Sequence, residues 1–387
     1  MFVFPIRNKL KDLIFYFGGT LLVNLLGFLS IICFTRLMSI EEYEVYIRFT
    51  FYYSIVHALF SFQAPAIIPV FHLEDNNVLS KSLLIQVIAY SIGYILLVFI
   101  PRDWIEFNAV ALVMHAAAFS MSLTISVYYN QINRAFISVI WQLFHPLLLL
   151  ISFLIYSNID NSAEGRIASG SIASLVVVII SLLYELRRID ITPKIFELLK
   201  YCIPLIGHVL LGITVGGMYK LLGKSNPVAP VSIYFSVMLL FLAGSDTIYK
   251  IVQPKFYLAL SQNSRVFKFP ILTFAVASVI FGSTYYFIAP MVVSIIVPLA
   301  YRILVNEYIL LLSLVVVVQI LYRYLLGFLN FYKDSIGVLR VTAFSVIIFA
   351  LYIFNNETMS GYLYALIFYY LSASIGLIIT LKKHYEI

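Results

Sequence analysis

Apolar residues run through this chain in long, nearly unbroken stretches separated by short polar connections. Twelve such runs lie at approximately 13–35, 49–71, 83–100, 107–128, 136–156, 167–186, 198–222, 231–252, 267–293, 304–326, 338–354 and 362–381. About 20 mostly apolar residues suffice for a helix to cross the hydrocarbon core of a bilayer. The runs show neither the alternation of a half-buried strand nor the polar stripe of a surface helix. They predict an all-α integral membrane protein of about twelve transmembrane helices, because a helix satisfies its own backbone groups in lipid.

Composition agrees. The 387 residues are 62% hydrophobic and 11% charged, with a mean hydropathy of +0.99, whereas soluble domains carry roughly a quarter charged residues. Cys33 and Cys202 both sit in apolar runs and offer neither a disulfide framework nor metal spacing, so no metal and no cofactor is expected. Arg7, Lys9 and Lys11 precede the first run, and no small-residue cleavage site interrupts it before Arg36. That pattern reads as an uncleaved first helix.

The basic residues orient the chain. With the N-terminus in the cytoplasm, Arg36, Arg48, Arg102, Arg166, Lys220, Lys224 and Arg302 fall outside, and the other 18 of the 25 lysines and arginines fall inside. This is a strong positive-inside bias, and it places both termini in the cytoplasm. The net charge of +7 then reports topology and attraction to the inner leaflet and its membrane lipids, with no nucleic acid as partner. The longest polar connections, 187–197 and 253–268, are both cytoplasmic. No outward loop is large enough to fold into a domain of the kind in which membrane glycosyltransferases and polymerases carry their chemistry. The chain is expected not to be an enzyme and to have no catalytic residues.

The runs divide into two sets of six, giving an N-terminal six-helix bundle at 1–186 and a C-terminal one at 187–387. The first run ends Thr35-Arg36-Leu37-Met38 and the seventh Tyr219-Lys220-Leu221-Leu222, with the basic residues 184 positions apart. The second ends with Pro69-Val70-Phe71 and the eighth with Pro254-Lys255-Phe256, the prolines 185 apart. A six-span offset keeps both copies facing one way, which reads as a parallel repeat; chance similarity between apolar helices is the alternative. Repeats of this kind are a mark of secondary transporters.

Three segments carry a family resemblance. The first comprises Gly18-Gly19-Thr20, Leu25-Leu26-Gly27-Phe28, Phe34-Thr35-Arg36-Leu37-Met38-Ser39 and Glu41-Glu42-Tyr43. The second is Leu199-Lys200-Tyr201-Cys202-Ile203-Pro204-Leu205-Ile206, and the third is the eighth run with Pro254 and Tyr257. In these the chain resembles the Wzx-type polysaccharide repeat-unit (O-antigen or capsule) flippases of the multidrug/oligosaccharidyl-lipid/polysaccharide exporter superfamily. It departs from their pattern at Glu44, where glycine is usual, and at Tyr219-Lys220, where an Asp-Arg pair is common. The resemblance implies an inverted V of two bundles in the bacterial inner membrane. It implies a lipid-linked oligosaccharide as substrate, carried on undecaprenyl diphosphate to the outer leaflet by alternating access. The polysaccharide polymerase and chain-length regulator of lipopolysaccharide-type biosynthesis would be its partners.

Charge at a span is costly, about 2.5–3.5 kcal/mol at a helix centre on insertion scales, so such groups favour a wet cavity. A diphosphate calls for positive groups, and arginine's planar fork matches phosphate oxygens. Arg36, Arg48 and Arg323 are therefore candidates for the anionic headgroup, with Lys220 the repeat-related counterpart of Arg36; snorkelling to outer headgroups is the competing reading. Asp246 and Lys250, four residues apart on one helix face, are read as neutralising each other, and ion coupling by Asp246 or Glu185 is the alternative. His57, His115, His145 and His208 read as helix-packing groups, and Gln63, Gln131 and Gln319 as hydrogen-bonding partners of sugars or of one another. Pro65, Pro69, Pro146, Pro204 and Pro290 each remove a backbone donor inside or near a span and bend the helix; Pro204 is the candidate hinge, with a structural kink that does no gating as the alternative.

No phosphate-binding Gly-x-x-x-x-Gly-Lys-[Ser/Thr] loop is present. An inside-negative potential suffices: two negative charges gain on the order of 4–5 kcal/mol per 100 mV on moving outward. A cation-coupled small-molecule exporter of the same superfamily is the main alternative, disfavoured by the lack of acids within the first six runs apart from Glu185 at an end. A membrane polymerase or ligase is disfavoured by the short outward loops, and a major-facilitator transporter by the absence of its Gly-x-x-x-Asp-[Arg/Lys] pattern at 72–82.

Overall fold

The computed structural model describes residues 6–71, 77–101, 106–132, 134–185, 195–222, 227–262, 268–302, 306–331 and 335–385. The protein is all-α and multi-spanning, with α1 (Ile6–Leu37), α2 (Ile40–Phe60), α3 (Ala64–Phe71), α4 (Val78–Phe99), α5 (Ala109–Gln131), α6 (Ala135–Tyr156) and α7 (Ala163–Glu185). There follow α8 (Ile195–Gly217), α9 (Val228–Gln262), α10 (Lys268–Ile296), α11 (Asn306–Phe331), α12 (Ser335–Ile353) and α13 (Met359–Tyr385). Among the described residues, ten helices are long and apolar enough to cross a membrane, and α1 contributes a shorter apolar stretch, Leu21–Leu37. Every predicted run coincides with a helix except the second.

That second run is two helices. Phe62 and Gln63 both adopt φ of 49°, the left-handed region that non-glycine residues seldom enter. The cause lies close by: Pro65 has no N–H for the Ser61 carbonyl and its ring would clash there, so α2 cannot continue straight. The Ser61 carbonyl instead accepts from Ala64 N at 3.1 Å, and α3 starts afresh with proline in its first turn, where proline is tolerated. At its other end α2 begins well before the apolar run does. The Ser39 hydroxyl caps it by accepting from Glu42 N at 3.2 Å, and Glu41 and Glu42 stand in its first turn, where they complement the helix dipole.

The chain forms two compact units, Met1–Leu210 and Leu211–Ile387. In the first unit α5 is the hub, packing on α2, α3, α4, α6 and α7, and 72% of its most apolar window is buried against 28–44% for α4, α6 and α7. Its sequence explains this. Ala111, Ala116, Ala117, Ala118, Ser120 and Ser122 are all buried, and small side chains let helices approach closely where lipid offers no hydrophobic drive to association. Asn108 caps α5 by accepting from Val110 N at 2.8 Å.

In the second unit α11 holds the same place, packing on α9, α10, α12 and α13. The α10–α11 contact depends on Gly282, where a Cβ would overlap Val317 Cγ2 and lie 3.0 Å from the Ser313 carbonyl oxygen. The two hubs are the fourth and the tenth predicted runs, six spans apart.

Candidate functional site

One end of the first unit gathers the C-termini of α1, α4 and α6 with the N-termini of α2, α5 and α7. Here the structure places Arg36, Arg48 and a third arginine that the hydropathy pattern assigns only to an outer span end. Arg36 occupies the last turn of α1 and is exposed. Arg48, on α2, lies 2.8 Å through Nε from Glu106 Oε1, with the two side chains 30% and 48% exposed. Phe107, next to that glutamate, packs edge-on against Phe49 and Tyr52 with ring centroids 5.4 and 5.7 Å away.

The third arginine is Arg166, and it is 2% exposed. Its guanidinium lies over the rings of Phe34, Phe153 and Tyr46 at 4.7, 5.2 and 5.4 Å from their centroids. Nη1 donates to the Leu149 carbonyl at 3.1 Å, while Nε has no hydrogen-bond partner among the described residues. The cage joins α1, α2, α6 and α7, and its aromatic faces supply the negative potential that a carboxylate would otherwise provide. A turn earlier, the Glu42 carboxylate of α2 accepts from Ala163 N at the start of α7, so α2 caps the helix that carries Arg166.

Deeper in the unit, buried polar groups line the contacts among α4, α5, α6 and α7. His115 Nδ1 lies 2.9 Å from the Ala111 carbonyl oxygen, which makes Nδ1 the protonated nitrogen, and its ring stands edge-on to Phe49 at 4.9 Å. The Tyr90 hydroxyl donates to the Ala116 carbonyl at 3.0 Å, and His145 Nε2 pairs with the Ser174 hydroxyl at 3.1 Å. Gln86 Nε2 donates to both Ser120 Oγ and Thr124 Oγ1 at 2.8 Å, while its Oε1 is buried without a partner among the described residues. His57 packs edge-on to Phe119 at 5.0 Å. Groups of this kind hold helices together in lipid at about 1–2 kcal/mol or less apiece.

The second unit places the remaining candidates. Lys220 lies in a 3-10 turn, Met218–Leu221, that closes α8. Beside it the Tyr219 ring stacks on Phe235 at 4.8 Å and its hydroxyl pairs with Ser232 Oγ at 2.9 Å. The last carbonyls of α8, at Val215 and Gly216, accept from the Tyr362 hydroxyl at 2.9 and 3.0 Å. Arg323 lies on α11 beside Tyr322 and Tyr370, whose rings are 5.5 Å apart. Two spanning helices, α9 and α10, lie between the end of α8 and the start of α11, so those two points share one side of the membrane. At 1.5 Å per residue Arg323 stands roughly 25 Å along α11 from Asn306, towards the side opposite Lys220. Pro204 sits inside an unbroken α8. Asp246 falls on α9 and Glu185 ends α7, but their side chains, like that of Lys250, lie outside the described residues.

Sequence reasoning missed Arg166 because span-end arginines look alike in a hydropathy profile. The available signal was the run of small residues on one face of α7, with Ser169, Gly170 and Ser174 all buried one and two turns beyond Arg166.

Among solved structures, the chain is similar to an inward-facing multidrug resistance MATE family transporter of the MOP superfamily, with TM-score 0.65 and 13% identity over 92% of both chains. It is also similar to the MATE multidrug transporter DinF-BH, with TM-score 0.62 and 14% identity over 98% of this chain and 96% of that one. The eukaryotic MATE transporter AtDTX14 gives TM-score 0.57 and 13% identity over 97% and 96%. No protein-family model and no curated protein sequence matches the chain. At these identities the likeness shows a shared fold.

Proposed function

We propose that this protein is a flippase that carries a lipid-diphosphate-linked oligosaccharide from the cytoplasmic to the outer leaflet of a bacterial inner membrane. The fold it shares with transporters supports a carrier. The observation that favours an anionic cargo is the sign of the buried charge: among the described residues the buried charged side chains are Lys81 and Arg166, both basic, and none is acidic. A carrier of cations calls for a buried carboxylate to replace the cargo's hydration, and a carrier of anions calls for a buried base.

In this reading both termini are cytoplasmic, in keeping with the basic-residue bias. Arg36 and Arg48 meet the diphosphate at the outward end of the first unit. Lys220 contributes at the outward end of the second, and Arg323 meets the headgroup nearer its cytoplasmic entry. Arg48 exchanges Glu106 for the headgroup, a favourable trade when the incoming group carries two charges and accepts a forked pair of hydrogen bonds. Asp246 or Glu185 is the site of any ion coupling, and the membrane potential supplies the bias otherwise. A polysaccharide polymerase and a chain-length regulator would act on the delivered units.

The fold of multidrug carriers makes cation-coupled export of small molecules the second reading. Deleting the gene separates the two. A flippase leaves lipid-linked oligosaccharide accumulating on the cytoplasmic leaflet and surface polysaccharide lost, both reversed by the intact chain. Normal polysaccharide with heightened sensitivity to lipophilic cations would overturn the proposal in favour of the exporter.

A further inference from the structure

The two units are built alike at one place. Ser162 Oγ accepts from Gly165 N at the start of α7, and Thr358 Oγ1, 196 positions later, accepts from Gly361 N at the start of α13, both at 3.1 Å. The next residue in each case stands among three rings. For Arg166 these are Phe34, Tyr46 and Phe153. For Tyr362 they are Tyr219, Phe235 and Phe349, at 5.5, 6.5 and 6.0 Å, and Phe153 and Phe349 are again 196 apart. The second unit thus fills its aromatic box with a neutral side chain. At the same offset His145 corresponds to Val341. The fold does not itself call for the arginine or the histidine of the first unit, and burying a guanidinium carries a large desolvation penalty.

The first unit also turns a base towards that arginine. His115 donates its Nδ1 proton to the Ala111 carbonyl at 2.9 Å, so Nε2 carries a lone pair that can take a proton. Nε2 lies over Gly170 of α7, where a Cβ would be 2.5 Å from it and 3.3 Å from Arg166 Nη1. The two nitrogens are therefore within about 6 Å of each other, the sum of those distances. Both side chains are buried. Two cations this close, with little water between them, repel strongly.

The groups that surround the pair leave this repulsion in place. Among the described residues no carboxylate lies within 4 Å of Arg166 or His115. From α2, Tyr46 and Tyr53 face the pair as rings, and His57 lies beside Tyr90 of α4. His145 of α6 is bound to Ser174 of α7. The Glu42 and Asp160 carboxylates accept from Ala163 N and Ser162 N. α1 contributes the Phe34 ring, with Arg36 exposed at its end. A cavity of about 730 Å³ between α4, α5 and α7 offers a proton its route. Glu106, paired with Arg48, and Glu164 line it where α5 and α7 begin, and Ala111, Ala168 and Ser171 line it within a turn of His115 or Gly170.

We propose that His115 is a proton-binding site coupled to Arg166: a proton on Nε2 drives the guanidinium out of its aromatic cage, and the guanidinium's return expels the proton. The proton comes from water in the cavity and goes back to it. The bond from Arg166 Nη1 to the Leu149 carbonyl opens and closes with the exchange. Because the cage joins α1, α2, α6 and α7, acid loosens the end of the unit where these helices meet. In the orientation proposed above, that end faces outward. The site rests on the geometry of the first unit, whatever the cargo.

The test is NMR of the full chain in lipid nanodiscs, with nitrogen-15-labelled arginine. The flanking rings set the Arg166 Nε–H signal apart from those of exposed arginines, and its loss in Arg166→Met identifies it. Between about pH 8 and about pH 5, which spans the ordinary histidine range, the ring-shifted signal should give way to an unshifted one. The ratio of the two populations should change by about tenfold or more. His115→Asn keeps a donor for the Ala111 carbonyl but has no base at Nε2, and it should hold the ring-shifted signal at both pH values. His145→Gln retains a partner for Ser174 and should respond as the wild type does. A wild-type signal still ring-shifted at the lower pH would overturn the proposal by itself, so the test stands where a variant fails to fold. A response that persists in His115→Asn, or vanishes in His145→Gln, would overturn it as well.

Discussion

Arg48 Nε and Glu106 Oε1 are 2.8 Å apart, joining α2 to the start of α5. With both side chains partly exposed, the pair contributes on the order of 0–1 kcal/mol to folding, so its disruption reads out on transport more than on stability. Glu106→Gln frees Arg48 for a headgroup and should leave transport intact or raised. Arg48→Glu should abolish complementation of a flippase-null strain while the protein still reaches the membrane. Exchanging the two residues restores the pair in reverse; it should leave membrane levels unchanged and transport still abolished, since the cation then stands on the wrong helix. Full transport by the exchanged variant would assign the pair a purely structural role.

Arg166 is a different case, because its charge is buried under three rings. Replacing it with alanine removes the cage's contents and leaves a void, a loss of about 2–5 kcal/mol. Methionine, which refills the space without a charge to desolvate, should cost much less. Thermal unfolding of the purified variants gives the comparison. A methionine variant as unstable as the alanine variant would show that the guanidinium's bond to the Leu149 carbonyl, not the packing, holds the four helices.

The α10–α11 contact at Gly282 admits no Cβ without moving Val317 or the α11 backbone. Gly282→Ala should lower stability by about 1–3 kcal/mol, and Val317→Ala in the same chain should recover part of that loss. The melting temperatures of the two single variants and the double variant test this coupling; additive losses would contradict it.

On the connection between α6 and α7, Asp160 accepts from Ser162 N at 2.8 Å, and that bond holds its carboxyl below the usual carboxylate range. A depressed value means that the folded state favours the anion. The stabilisation is therefore present above the ordinary aspartate range and fades as pH falls through the lowered one. Asp160→Asn should flatten the acid limb of the stability profile slightly, and an NMR titration of the Asp160 carboxyl should show a midpoint below that of an unstructured aspartate.

Much of this fold is written in the sequence, for a physical reason: a spanning helix must be apolar along its length, so hydropathy alone locates it. The exceptions lie where that rule does not speak. The start of α2 escaped the profile because Glu41, Glu42 and Arg48 interrupt the apolar run, although the same acids favour a helix start. The break at Phe62–Gln63 was visible only as a proline at position 65. Whether a proline bends a helix, as Pro204 permits within α8, or ends it depends on what the freed carbonyl finds. Arg166 and Arg36 occupy equivalent places in the profile, yet one is caged and one is exposed. The difference resides in Phe34, Tyr46 and Phe153, which come from three other helices and carry no sequence signature of their own. The hydroxyls, histidines and Gln86 buried among α4, α5, α6 and α7 were legible as polar groups in apolar runs but not as partners.

The most direct measurement reconstitutes the purified protein in liposomes with an undecaprenyl-diphosphate oligosaccharide whose sugar is accessible to a probe on one side only. With the cytoplasmic face of the membrane held negative, lipid-linked sugar should pass to the opposite leaflet, faster as the potential rises, and Arg36→Glu and Arg48→Glu should abolish the movement. Sugar that stays in its original leaflet, from protein that expels a lipophilic cation under a sodium or proton gradient, would contradict the account.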